Sequence, residues 1–402
     1  MIMMKDVLVA SFDMEVGGVE RSLINMLESF DYTKYKVDLM LYRHQGDFMK
    51  LLPSNPNLLE EMPQYTTFRK SIREIFKDGH IGLGISRIFS KINTNFYQKR
   101  KKIDEPGYYQ MQIMWKYALP FLPRMEKEYD VAISYLWPHY FVAEKVKAKK
   151  KIAWIHTDYS TIQTDIDMDL KMWHQFDHII AVSEACKNAF LAKYKELESK
   201  VFVVENITSP EFIRKMGKER LDNPMESDNR FKLLTVARLT HAKGIDKAVK
   251  AMKLIKEKGY DDIAWYVVGY GGDETKIKEL IRQNDLEESF ILLGKRTNPY
   301  PFIKACDLYI QPSRYEGKAV TVTEAKILAK PIIITNYSTA GSQVAKGVDG
   351  VICKDLSVES IASEVEEIYM NEDLRRKLIN YNKNYNFSND YELKKLYSVI
   401  SL

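Results

Sequence analysis

The chain reads as an α/β protein of two doubly wound domains, each a parallel sheet covered by helices on both faces. Short, continuously apolar runs alternate with helical patterns, and the alternation occurs twice. A length of 402 residues also exceeds what one hydrophobic core usually fills.

The first series opens with a strand at Val7–Phe12 and an amphipathic helix at Val19–Phe30. Strands follow at Val37–Tyr42, Val131–Tyr135, Ile152–Ile155, His178–Val182 and Val201–Val204. Residues 53–125 interrupt this order with basic helical segments and read as an insertion. The polar stretch Lys215–Arg230, with Asp222-Asn223-Pro224 inside it, marks a boundary. Domains are therefore expected at 1–215 and 216–385, with a C-terminal helix in 386–402 packing back on the first. The second series places strands at Phe231–Val236, Ala264–Val268, Phe290–Leu292, Leu308–Gln311 and Ile332–Thr335. Its helices are Ile245–Lys258, Glu274–Asn284, Pro301–Ala305, Val320–Leu328 and Val358–Tyr369. In open parallel sheets ligands sit beyond the carboxyl ends of the strands. Two such domains facing each other across a cleft would place an active site there.

An apolar fraction of 45% and a charged fraction of 29% describe a globular chain, not a disordered one. The three cysteines, Cys186, Cys306 and Cys353, lie in or beside apolar runs and are expected as buried free thiols. The first residues lack the charge-then-apolar order of a signal peptide, and no run reaches the ~20 apolar residues that cross a bilayer. The expected location is cytoplasmic, with peripheral contact at the inner face of the membrane.

That contact is inferred from where the charge lies. The net charge is only +5, yet Phe68–Lys102 holds ten basic residues (Arg69, Lys70, Arg73, Lys77, Arg87, Lys91, Lys99, Arg100, Lys101, Lys102) against Glu74 and Asp78. Phe68, Ile72, Ile75, Phe76, Ile85, Ile88, Phe89 and Ile92 interleave with them at helical spacing. A second cluster is Lys145, Lys147, Lys149, Lys150 and Lys151. Basic amphipathic helices lie on anionic membrane surfaces. Nucleic acid is not an expected partner, since no basic nucleic-acid motif is present.

Four stretches carry candidate chemistry. After the first strand, Gly17 and Gly18 open a helix whose N–H groups point at any anion there. After Phe231–Val236, Arg238 and Lys243-Gly244 place two cations five residues apart, where they can grip a diphosphate. Gly269 and Gly271 follow another strand, but Glu274 stands where a dinucleotide fingerprint needs its third glycine, which disfavours an oxidoreductase. Most informative is Ser313 to Ala325. Glu316 precedes a helix, Glu324 lies on it, and the amides of Lys318, Ala319 and Val320 form an anion site at its start.

The pair Glu316 and Glu324, separated by seven residues, resembles the E-x7-E motif of glycosyltransferase family 4. Arg238-x4-Lys243-Gly244 resembles that family's R-x4-K-G, and the likeness runs in order from Gly17-Gly18 to Asp349-Gly350. The resemblance implies the GT-B arrangement of two Rossmann-like domains and sugar transfer with retention of stereochemistry. It implies that Glu324 holds the ribose of a nucleotide donor and that Glu316 contacts the donor sugar. Arg238 and Lys243 would neutralise the leaving diphosphate, with Gly269, Gly271, Lys318, Ala319 and Val320 also lining the donor. His156 matches the family's histidine near the donor sugar, and Gly17 and Gly18 would let the first domain approach donor or acceptor.

The implied donor is a nucleotide-diphosphate hexose or N-acetylhexosamine, with uridine expected from family frequency. The implied acceptor is a lipid-linked or polymeric surface glycan of the capsular kind. This sequence departs from the family at Lys318-Ala319, where Phe-Gly is frequent, and at Ser338-Thr339-Ala340-Gly341. No metal is expected, because cationic side chains and helix amides do a metal's work in that family. The alternating Asp165, Asp167 and Asp169 read as a solvated acidic segment. A non-catalytic partner subunit and a sugar-nucleotide epimerase of the same fold are the competing readings.

Overall fold

The computed structural model describes residues 4–96, 107–389 and 391–402 in full, and the backbone of 97–101. Lys102 lies outside the described residues, as do the side chains of Lys99, Arg100 and Lys101. The chain divides into two compact units, Met1–Ile207 with Asp390–Leu402, and Thr208–Asn389.

The first unit is built on seven parallel strands: β1 (Lys5–Ser11), β2 (Tyr35–Leu41), β3 (Asn57–Leu58), β4 (Glu128–Ser134), β5 (Lys147–Ile155), β6 (His178–Ala181) and β7 (Val201–Val203). They lie in the order β3-β2-β1-β4-β5-β6-β7. The second has six parallel strands: β8 (Phe231–Val236), β9 (Ile263–Val268), β10 (Phe290–Gly294), β11 (Leu308–Gln311), β12 (Ile332–Ile334) and β13 (Val351–Ile352). Their order is β10-β9-β8-β11-β12-β13. Both are doubly wound sheets whose order reverses beside the first strand, between β1 and β4 and between β8 and β11. A crevice opens at the carboxyl ends there.

Central strands covered on both faces must be apolar throughout. Val7, Leu8 and Val9 of β1 and Ile332, Ile333 and Ile334 of β12 are each 0% exposed. The two-residue strands β3 and β13 are too short to show a period, and the sequence pattern misses them. Cys186, Cys306 and Cys353 are buried and in no disulfide, and burial pushes the Cys306 and Cys353 thiols up to about 12.

The helix Tyr391–Ser401 belongs to the first unit. Leu393, Leu396, Val399 and Ile400 are buried there, and Tyr397 stacks on Tyr35 with ring centroids 5.1 Å apart.

The insertion between β3 and β4 carries helices Ile72–Lys77, Ile81–Lys101 and Gly107–Ala118. Phe68 and Ile75 face the core, with Phe68 stacked on Trp115 at 4.2 Å, so these two are not part of an outward apolar face. The second basic cluster also departs from expectation. Lys147, Lys149, Lys150 and Lys151 lie on β5, not on an amphipathic helix. Lys147 pairs with Glu128 and Lys149 with Asp130. Lys150 donates to the carbonyls of Val399 and Ile400, and Lys151 to that of Ala143. The parallel ladder sets Lys147 and Lys149 beside acids of β4, which offset part of the cluster's charge.

Asp169 overturns the reading of a solvated acidic segment. Asp165 caps the helix Ile166–Trp173, but Asp169 is 0% exposed and accepts hydrogen bonds from Gln112 Nε2 and the Tyr194 hydroxyl. Burial raises its carboxyl to about 6 despite these donors.

Candidate functional site

In the second unit the site forms where β8 and β11 end. The loop after β8 carries Arg238, which is exposed, and Lys243, which is half-buried. Gly244 closes that loop with φ +66°, and a Cβ there would lie 2.0 Å from the carbonyl oxygen of Pro312. Only glycine lets the lysine loop lie against the chain leaving β11. Arg314 then ties the two together. Its guanidinium grips Asp246 through both carboxylate oxygens at 2.7 and 2.6 Å, and it also donates to the His241 carbonyl at 2.7 Å.

This clasp brings Lys243 to Glu316. Lys243 Nζ lies 2.5 Å from Glu316 Oε2, while Ser313 Oγ and Gln311 Nε2 donate to Oε1 at 2.6 and 3.1 Å. Glu316 is 6% exposed, and both its oxygens are engaged. Gln311 is oriented in turn by Tyr309 and Thr321, whose hydroxyls donate to its Oε1 at 2.7 and 3.2 Å. Thr339 Oγ1 donates to the Glu316 carbonyl at 3.0 Å. The carboxylate is thereby fixed in direction before any ligand enters.

Glu324 sits on the helix Val320–Ile327, fully buried, and accepts from the Tyr300 hydroxyl at 2.9 Å. The helix begins without a side-chain cap, and Lys318 is half-buried just ahead of it. One amide expected in the anion nest is already used. Ala319 N–H donates to Gln343 Oε1 at 3.0 Å, so the nest is narrower than the run Lys318 to Val320 implies. Lys326, buried between Asp349 and the Gln343 carbonyl, holds the Gln343 backbone, and burial lowers its ammonium below the usual lysine value.

Gly269 and Gly271 are also required by packing. A Cβ at Gly269 would come 1.8 Å from the Ala237 carbonyl oxygen, and one at Gly271 would come 2.3 Å from that of Leu239. They seat the β9 loop against the Arg238 loop. Sequence reasoning passed over Gln311, Ser313, Tyr300, Thr339 and Gln343. Ser313 and Gln311 were within sight, three and five residues before a candidate glutamate, whereas Tyr300, Thr339 and Gln343 lie farther along the chain.

Gly17, Gly18 and His156 belong to the first unit, also at carboxyl ends of strands. Gly17 precedes the helix Gly18–Glu28, which has no side-chain cap. Ser22 of that helix joins the Tyr135 hydroxyl at 2.7 Å and Asn206 Oδ1 at 2.7 Å, tying it to the end of β4. His156 follows β5, with its ring 4.7 Å from that of Tyr135. The Tyr135 backbone bonds one ring nitrogen, and Nε2 is buried without a hydrogen-bond partner among the described residues. Burial lowers this histidine to about 3, so it is a neutral ring near pH 7. Among the described residues, no group of three or more His, Cys, Asp or Glu side chains is placed to hold a metal ion.

Residues 218–385 match the family described as Glycosyl transferases group 1. Among curated relatives, the capsular polysaccharide biosynthesis glycosyltransferase CapM of Staphylococcus aureus is 28% identical over 50% of this chain and 54% of its own length. The chain spans about half the length of the curated relatives it matches. Two solved structures share the fold from end to end. HepE of Anabaena, solved with UDP and glucose, aligns with a TM-score of 0.69 at 16% identity, covering 99% of each chain. A TarM mutant of Staphylococcus aureus, solved with fondaparinux, alpha-GlcNAc-glycerol and UDP, aligns at 0.69 and 13% identity, covering 99% of this chain and 100% of that one. The fold is thus two Rossmann-like units of the GT-B glycosyltransferase kind. The family match and the names of the relatives support a transferase enzyme.

Proposed function

We propose that this chain is a retaining glycosyltransferase of the family 4 type. It would move a hexose or N-acetylhexosamine from a UDP-sugar to a lipid-linked glycan or cell-surface polysaccharide. The observation that carries this reading is the Lys243–Glu316 contact at 2.5 Å, held by Ser313 and Gln311 beside the uncapped start of the helix Val320–Ile327. A cation, a directed carboxylate and helix amides suit a diphosphate and the sugar attached to it.

Transfer breaks the bond between the anomeric carbon and the diphosphate oxygen. The acceptor hydroxyl forms its bond on the same face, and its proton passes to the departing phosphate. Arg238, Lys243 and the amides near Val320 stabilise the charge that develops on the leaving group, the largest electrostatic task of the step. Glu316 orients the sugar and Glu324 the ribose. His156, neutral, accepts a hydrogen bond from a sugar hydroxyl at its open Nε2. The reading includes metal-independent transfer and an acceptor met at the inner face of the membrane. UDP in HepE and TarM, and polysaccharide synthesis in CapM, support donor and acceptor classes of this kind.

Thermal unfolding with UDP, GDP, ADP, CMP and UDP-sugars, with and without EDTA, tests the proposal. UDP at 100 times its dissociation constant should stabilise the protein by about 2.7 kcal/mol, with EDTA making no difference. No shift with any nucleotide would favour a non-catalytic partner subunit instead.

A further inference from the structure

The helix Ile81–Lys101 is built inside out for a soluble protein. Its buried face holds Leu83 near the start and then Ser86, Ser90 and Thr94, exposed 4%, 2% and 3%, and it packs on the helix Gly107–Ala118. Its outer face carries Ile81, Ile85, Ile88, Phe89, Ile92 and Phe96, each between 40% and 69% exposed. At about 100° per residue these six fall on one stripe about 100° wide. Scattered exposed apolar side chains need no explanation, but a continuous stripe does.

Two more rings widen the stripe. Gly82 and Gly84 lie on opposite edges of it, and each stands where a Cβ would collide with a ring, that of Phe121 at 2.4 Å and that of Phe76 at 2.7 Å. Both phenylalanines remain exposed, at 52% and 38%. The glycines thus let apolar rings lie flush beside the helix and extend its face into a plateau.

The charge around the plateau is positive on balance. Arg73, Lys77 and Lys91 are exposed. The two acids of the segment are engaged, Asp78 with Lys70 and Glu74 in the capping box with Ser71. We infer that this face docks on a lipid bilayer bearing anionic headgroups, with the helix lying in the interface and its isoleucines and phenylalanines among the acyl chains. A two-fold contact between copies would set the same basic rim against itself, which charge repulsion opposes. Among the described residues no helix is long and apolar enough to cross a membrane, so the contact is with the surface. The inference deepens the proposed function, since a lipid-borne acceptor needs such a contact, and names the surface that makes it.

Flotation of the full chain with vesicles tests it without any sugar chemistry, so its failure and that of the transferase reading are separately visible. Vesicles with roughly 30% phosphatidylglycerol in phosphatidylcholine should carry the protein up the gradient, and raised salt should weaken binding. Replacing Ile85, Phe89 and Ile92 together by Ser should lower partitioning at least ~10-fold, with thermal unfolding unchanged because all three are exposed. Lys77→Glu with Lys91→Glu should lower binding to the anionic vesicles ~5-fold or more. Wild-type protein that stays at the bottom, or a triple Ser variant that floats like wild type, overturns the inference. So does light scattering that finds a lipid-free dimer which the triple variant turns into monomer, for then the plateau is a contact between copies.

Discussion

The two units share a sheet order around the first strand but furnish its carboxyl end differently. In the second unit that end is charged. Lys243 faces Glu316, and Arg314 grips Asp246 across the same loops. In the first, aromatic rings stand beside charge, with Asp13 paired to Arg69 at 3.3 Å just beyond β1. His156 lies against Tyr135 and Trp154, and hydroxyl and amide groups of Ser22, Tyr135 and Asn206 join the elements. One scaffold thus carries two furnishings: a clasp of paired charges in the second unit, and a buried histidine among aromatic rings in the first.

The contrast breaks most visibly at Lys243. Lys243→Ala should lower kcat/KM for transfer by roughly 10²–10³ through loss of charge stabilisation on the leaving group. A folded variant with the wild-type rate would show that the charged end is structural only.

Acid should separate the units next. His139 and His156 are held at about 3 by burial, so they stay neutral in the folded first unit while their unfolded counterparts take protons below pH 6.5. Their contribution is present above that value and is lost as pH falls, about 2 kcal/mol each between pH 7 and 5. Asp169 has the opposite sign. Its carboxyl is raised to about 6, so it favours the folded state in acid and returns about 1 kcal/mol over the same range. The net loss of about 2–3 kcal/mol falls on the unit that holds Trp115, Trp137, Trp154 and Trp173, whereas Trp265 reports on the other. Denaturant titrations followed by tryptophan fluorescence should show it, and Asp169→Asn should steepen the loss to about 4 kcal/mol. Equal acid sensitivity in both units would refute the assignment.

The smallest effect concerns two basic clusters within one unit. Lys147→Ala with Lys149→Ala removes exposed pairs with Glu128 and Asp130 and should leave the unfolding midpoint almost unchanged, since exposed pairs contribute little. Vesicle flotation should not change. A drop would return β5 to the membrane face.

The second unit was easier to read for a physical reason. Arg238, Lys243, Glu316 and Glu324 sit in two short runs because a strand end, its loop and the next helix start are contiguous in the chain. Ser22, Tyr135 and Asn206 meet only through the sheet, so no spacing announces them. The sequence shows the charge of the β5 lysines but not Glu128 and Asp130, which parallel pairing sets beside two of them. Asp169 misled, since alternating acids look solvated until Gln112, fifty-seven residues away, is found bonded to one of them.

One consequence of the helix Tyr391–Ser401 concerns synthesis. Its side chains fill the first unit, yet they emerge after all of Thr208–Asn389. Chains usually fold domain by domain from the amino end as they are made. Here the first unit to emerge waits for the second to be completed, its seat beside Phe30 and Tyr35 uncovered, while the later unit already has every residue it needs. A piece of the first core thus leaves the ribosome only after the whole second unit.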